Sequence, residues 1–228
     1  MWEFVLELLF SLIKGALLWM VGFTIIMGII VLISHTFGQK KEPVAEQIEA
    51  INETVDYYDK ICEIIRLITN GDREVALALE LFKPETKELF IKKYLPELRL
   101  DIYEQYDAWD LMIDALDRFG YLSYNDWKFD MEDLIFNLSS PLKKNSIDPE
   151  IFEDYPNKEE TIDPKEFPLL AEFLPNGYAL LNIDTGEDSY VVTIAPISKA
   201  RRVVEISDSV KRPEGIRSIE LFKKRYND

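Results

Sequence analysis

Between Gly15 and Ser34 the chain reads GALLWMVGFTIIMGIIVLIS, twenty residues without a charge. At about 1.5 Å of rise per helical residue, that length matches the roughly 30 Å hydrocarbon core of a bilayer. Helices buried in a protein core rarely stay apolar on every face for so long, so one transmembrane helix is expected. A cleaved export signal fits less well. The chain begins Met1-Trp2-Glu3-Phe4 rather than with basic residues, and the apolar run ends in His35, Thr36 and Phe37 instead of a small-residue cleavage site. Glu3, Glu7 and Lys14 are placed at the interface, where carboxylates escape the cost of membrane depth and a lysine can snorkel to headgroups. Residues 1–38 are therefore expected to be a membrane anchor, spanning through residues 15–34. Lys14 and the amino terminus on one side, against Lys40 and Lys41 on the other, favour a single-pass protein whose C-terminal domain is cytoplasmic.

The remainder is a different material. Across the whole chain of 228 residues, 47% hydrophobic and 30% charged residues exclude a wholly disordered polymer and leave room for one domain with an appendage or two small domains. A single His (His35) and a single Cys (Cys62) exclude an intramolecular disulfide and any zinc or iron–sulfur site built from several such ligands. Residues 39–198 hold 16 basic and 35 acidic residues, a net charge of −19, whereas residues 199–228 hold nine and five, a net of +4. Such an acidic body repels nucleic acid and suits solubility or attraction to a basic protein partner. The basic tail can fold back on that body or touch anionic lipid.

After the polar hinge Gln39–Glu42, Pro43 suits the first turn of a helix running to Asn70. Val44, Ile48, Ile51, Val55, Tyr58, Cys62 and Ile65 step by four and three, a heptad seam that fits either a homodimer through residues 44–65 or a stripe laid on the chain's own core. Asn70-Gly71-Asp72 stops this helix and caps the next. Shorter helices follow over 73–82, 85–94 and 106–119, the last ending at Gly120. Tyr121–Trp127 alternates like a short strand, and Asp130 caps a helix to Leu138. Residues 139–163 read as a long irregular loop with about one helical turn. A helix over 164–174 then leads into the clearest β signal. Tyr178–Ile183 and Ser189–Ala195 make a hairpin whose nearly continuous apolar strands should be covered on both faces. A helix over 197–210 follows, and 216–222 fits an edge strand or a last helix. The expected fold class is α+β: an N-terminal transmembrane helix, a helical region over 39–104, and over 105–228 a small mixed sheet with a central hairpin and flanking helices.

Several constellations resemble known chemistry without completing it. Leu180-Leu181 before Asp184-Thr185-Gly186 copies the local signature of an aspartic protease, but only 42 residues follow Gly186 and the preceding region is largely helical, so hairpin-turn chemistry accounts for Asp184 and Gly186. Asp184, Gly186 and Asp188 alternate like a calcium loop, yet Ser189 and Ala195 stand where an EF-hand requires Gly and Glu. Asp126, Asp130, Glu132 and Asp133 could gather a magnesium ion, as any segment this acidic could. There is no Gly-rich phosphate loop, and no histidine beyond His35 to serve as a general base. No cofactor and no metal is assigned.

Asp126-Trp127-Lys128, together with Gly177-Tyr178-Ala179-Leu180-Leu181-Asn182-Ile183-Asp184 and Asp188-Ser189-Tyr190, resembles a family of uncharacterised bacterial domains that pair an Asp-Trp-Lys segment with a later Gly-x-x-Leu…Asp-Ser-Tyr hairpin. The likeness covers roughly residues 105–210. A helix ending in Phe173-Leu174-Pro175-Asn176-Gly177 before a hairpin with Asp188 and Tyr190 is more distantly similar to the SUKH superfamily, which implies an immunity-like role in binding a toxin. The resulting expectation is a membrane-anchored protein–protein interaction module, non-enzymatic, with Asp126, Trp127, Asp184, Asp188 and Tyr190 as binding residues. The alternative is a metal-dependent hydrolase using the carboxylates of the same loops, which requires Asp126, Asp130, Asp184 or Asp188 to converge in one concavity.

Overall fold

The first helix among the described residues, α1 (Val44–Ile68), buries Tyr58, Ile61, Cys62, Ile64, Ile65 and Ile68, steps of three and four that place one face in an apolar core. A computed structural model describes residues 44–98, 106–156, 158–186, 188–210 and 218–224. The expected anchor at 15–34 lies outside them, and among the described residues no helix is long and apolar enough to cross a membrane. Of the heptad seam, Tyr58, Cys62 and Ile65 sit in the chain's own core, Val55 is exposed, and the side chains of Val44, Ile48 and Ile51 lie outside the description. Burial raises the Cys62 thiol pKa to about 11, with Arg66 and Lys83 opposing and Asp59 adding to the rise, so this cysteine is a packing residue.

The stop after α1 forms as its residues dictate. Asn70 and Gly71 both take positive φ, at 55° and 74°, and Asp72 accepts hydrogen bonds from the Glu74 and Val75 amides as cap of α2 (Arg73–Ala78). That helix ends at Ala78 rather than Phe82; Leu79–Phe82 turn so that Leu79 and Phe82 point into the core. A 3-10 turn (Pro84–Thr86) opens α3 (Lys87–Tyr94), and a capping box between Asp107 and Asp110 opens α4 (Ala108–Arg118), most of whose residues are buried. Next come β1 (Ser123–Asp126) and α5 (Met131–Asn137), capped by Asp130.

Residues 139–163, expected as irregular, instead hold α6 (Ser139–Lys144) and a 3-10 turn (Pro149–Phe152), with Leu142, Ile147, Phe152, Tyr155 and Ile162 buried. Pro141 falls in the first turn of α6, where its missing N–H breaks no helical bond. A second 3-10 turn (Pro164–Glu166) leads into α7 (Phe167–Glu172). The hairpin β2 (Tyr178–Ile183) and β3 (Ser189–Pro196), the helix α8 (Ile197–Ser209) and the edge strand β4 (Ile219–Lys223) complete the order.

The sheet runs β1-β3-β2-β4, with the hairpin in its two central places. It is antiparallel throughout, not mixed. A helical crossover such as α8 does bring the chain back to run β4 in the same direction as β3, but β2 lies between them, so no neighbours are parallel. Strand alternation then divides the apolar side chains between two clusters. Ala179, Leu181, Ile183, Val191 and Ala195 join residues of α1–α4 and α8, while Leu180, Val192 and Ile194 join residues of α5–α7 and the intervening turns. The result is an α+β architecture with helices over both faces of a four-stranded sheet.

Ile51–Asp228 forms one compact unit. Residues on both sides of the boundary expected at 104/105, Phe90 and Trp109 among them, belong to a single cluster. A polar knot joins distant parts of the same unit. Tyr121 Oη donates to Asp72 Oδ2 (2.9 Å), and Lys144 Nζ lies 3.5 Å from that oxygen and 4.8 Å from the Tyr121 ring centroid. Desolvation pushes the Asp72 pKa upward, but the bonds from Tyr121, Glu74 and Val75 with nearby Lys144 outweigh it and hold it below its ordinary value.

Candidate functional site

Two turns meet at one end of the sheet. The first follows β1: Asp126 Oδ1 accepts the Lys128 amide (2.9 Å), and the Asp126 carbonyl accepts the Phe129 amide (3.0 Å). This tight turn presents Trp127 and Lys128 at its tip, and Trp127 stays 49% exposed with the Lys128 Nζ 5.4 Å from its ring centroid. The second is the β2–β3 hairpin turn. There Asp184 Oδ1 accepts the Gly186 amide (2.8 Å), Gly186 takes a φ of 75°, and Thr185 Oγ1 lies 2.8 Å from Ser189 Oγ. The Asp184 backbone is held too: its carbonyl accepts Trp109 Nε1 (2.9 Å), and its amide donates to the Ser218 carbonyl (3.0 Å).

Strand register brings the turns together. Asp126 stands opposite Ser189 and Asn125 opposite Tyr190, so the residues after β1 face those before and within β3. Trp127, Asp188, Ser189 and Tyr190 line an open pocket of about 370 Å³ between them. Its floor is anchored from below. The Tyr190 ring meets Phe167 of α7 edge-on, with centroids 6.0 Å apart. The Tyr190 carbonyl accepts Asn125 Nδ2 (3.3 Å), which also donates to Ser123 Oγ (2.8 Å), while Asn125 Oδ1 accepts Asn137 Nδ2 from α5 (2.9 Å). Asn125 is wholly buried, so the strand beside the pocket is fixed by a satisfied polar network rather than by apolar packing.

Of the five residues singled out from sequence, Trp127, Asp188 and Tyr190 share this pocket. Asp126 is next to it but its carboxylate shapes the turn, and Asp184 serves the hairpin turn without lining the pocket. No hydrogen bond or ion pair among the described residues engages the Asp188 carboxylate. Ser189 and the supporting Asn125 were not singled out. The signal for Asn125 is the alternation Ser123-x-Asn125, which places two polar residues on one face of a strand.

Three of the four carboxylates invoked for a metal-dependent hydrolase, Asp126, Asp130 and Asp184, accept backbone amides in turns or a helix cap. Asp130 Oδ1 accepts the Asp133 amide as the α5 cap, and only Asp188 of Asp126, Asp130, Asp184 and Asp188 lines the pocket. Among the described residues, no group of three His, Cys, Asp or Glu side chains is arranged to hold a metal ion.

A family model described as "Domain of unknown function (DUF6630)" matches residues 60–214. No curated protein and no solved structure matches the chain.

Proposed function

The chain belongs to the DUF6630 family of domains of unknown function, and from that premise we propose that it is a protein–protein interaction module, anchored in a membrane through residues 15–34, whose acidic body docks a basic partner at the turn-lined end of its sheet. The observation that carries this reading is the meeting of Trp127, Asp188 and Tyr190 in one open pocket. An exposed tryptophan beside a half-buried tyrosine is the kind of anchor on which interfaces concentrate their energy, and the surrounding net charge of −19 over residues 39–198 supplies long-range attraction. Among the described residues, the pocket presents one carboxylate, one hydroxyl and two aromatic rings, a lining suited to recognition of a cationic side chain. The body would face the cytoplasm, and an immunity-like role, with a basic toxin as partner, is the narrowest form of the proposal.

The test is crosslinking in intact membranes followed by mass spectrometry, comparing wild type with Trp127→Ala/Asp188→Ala. A basic protein captured by wild type and lost in the variant is the expected result. Identical captures by both, with the variant folded and membrane-resident, would overturn the assignment of this face.

A further inference from the structure

Trp127, Tyr190 and Asp188 combine two features that a cation recognises: aromatic faces and a carboxylate without a partner among the described residues. We infer that the pocket seats a single arginine side chain of the basic partner, its guanidinium stacked on Trp127 and donating to the Asp188 carboxylate. This rests on the docking reading above and gives it a chemical ligand.

Three observations converge on a guanidinium. The Trp127 ring already attracts a cation, since the Nζ of its neighbour Lys128 sits 5.4 Å from the centroid, near the outer limit of about 6 Å for such contacts. An incoming side chain that meets a carboxylate as well as the ring has the advantage over that lysine, which has no ion pair among the described residues. The Asp188 carboxylate has no partner among the described residues, and it belongs to an exposed residue lining an open pocket, where a side chain from another protein can reach it. The Tyr190 wall is also fixed in advance, its ring by Phe167 and its carbonyl by Asn125, so less order is lost when the ligand enters. Arginine is preferred to lysine because its planar group stacks on an indole and forks onto a carboxylate at once, whereas an ammonium is a compact and strongly hydrated charge.

A body this acidic attracts any polycation, so the test must separate the pocket from the general field. The full-length protein in non-ionic detergent is titrated with a capped pentapeptide carrying two arginines between glycines, with its lysine counterpart of equal charge, and with its uncharged citrulline counterpart. Wild type should bind the arginine peptide several-fold more tightly than the lysine peptide and show no measurable binding of the citrulline peptide. Trp127→Ala changes no charge, and Asp188→Asn is nearly isosteric; each should weaken the arginine peptide about tenfold and abolish its advantage. Both positions are exposed, and unchanged unfolding transitions would establish that the variants fold.

Equal binding of the arginine peptide by wild type and Trp127→Ala would overturn the inference, leaving only long-range attraction. Two mixed outcomes keep the two ideas apart. A membrane partner lost in Trp127→Ala/Asp188→Ala, with arginine and lysine peptides bound alike, sinks the arginine assignment and leaves the docking face standing. An arginine preference that depends on Trp127, with the same partners captured by wild type and variant, supports the pocket and sinks the docking reading.

Discussion

Asn125 and Asp114 show how differently two polar side chains can be accommodated, one inside the core and one partly buried at its edge. Asn125 is fully buried yet satisfied, with its amide donating to Ser123 and Tyr190 and its carbonyl accepting from Asn137. Asn125→Ala would remove the acceptor of the part-buried Asn137 amide and a donor to the Tyr190 carbonyl, and should cost about 1–2 kcal/mol in urea unfolding. Asp114 of α4 is the opposite case. Burial, joined by the like charges of Asp110, Asp117 and Glu97, raises its pKa to about 6. Because the folded pKa exceeds the ordinary carboxylate value, folding favours the protonated acid. The ionised form therefore weakens the fold increasingly as pH rises from about 4 through 6, and the penalty is complete above that. Asp114→Asn should accordingly stabilise by about 1 kcal/mol at pH 7, a figure reduced for the partial exposure of the side chain. The gain should vanish near pH 4, where wild type is itself neutral. Unfolding curves at the two pH values check the sign, and an equal gain at both would mean that charge is not the cause.

At the scale of elements, two glycines close helices with the same backbone and different surroundings. Gly71 ends the α1 turn at φ 74° with open space where a Cβ would project, so Gly71→Ala pays only the left-handed conformation, about 1 kcal/mol. Gly120 ends α4 at φ 75°, but a Cβ there would stand 2.6 Å from Ser140 Oγ, the atom that donates to the Gly120 carbonyl from α6. Gly120→Ala should therefore cost about 1 kcal/mol more than Gly71→Ala, through the displaced hydroxyl and its lost bond. Comparing Gly120→Ala in wild type and in Ser140→Ala by denaturant titration checks this: the excess should disappear when the hydroxyl is absent. Two helix starts were visible in the sequence because caps are local, as Asp72 and Asp130 show by accepting amides within three residues. Helix lengths were less so. The segment after Ala78 and the short α6 are decided by where Phe82 and Leu142 find the core, which no window of sequence contains.

For the whole molecule, the hairpin is the shared wall of both apolar clusters. Leu180 and Leu181 are neighbours that point to opposite faces, Leu180 among α5–α7 and Leu181 among α1–α4 and α8. Leu180→Ala and Leu181→Ala should each cost about 2–5 kcal/mol and lower one common unfolding transition. Separate transitions for probes on the two faces, for instance near Phe152 and near Phe90, would show instead that the layers fold independently. The sequence by itself determined what depends on neighbours along the chain: the α+β class, the caps and glycine stops, the hairpin with its five-residue turn, and the burial of its strands on both faces, written in their nearly unbroken apolar runs. Only the tertiary structure decided how β1 and β4 join that hairpin, and with it the pocket. The insertion of β2 between β3 and β4 makes the sheet wholly antiparallel, and the register of β1 on β3 sets Trp127 beside Asp188, sixty-one residues away in sequence, while leaving Asp126 and Asp184 to their turns. Pairing partners far apart in the chain are chosen by the burial that all elements achieve together, a quantity that local propensity and periodicity do not carry.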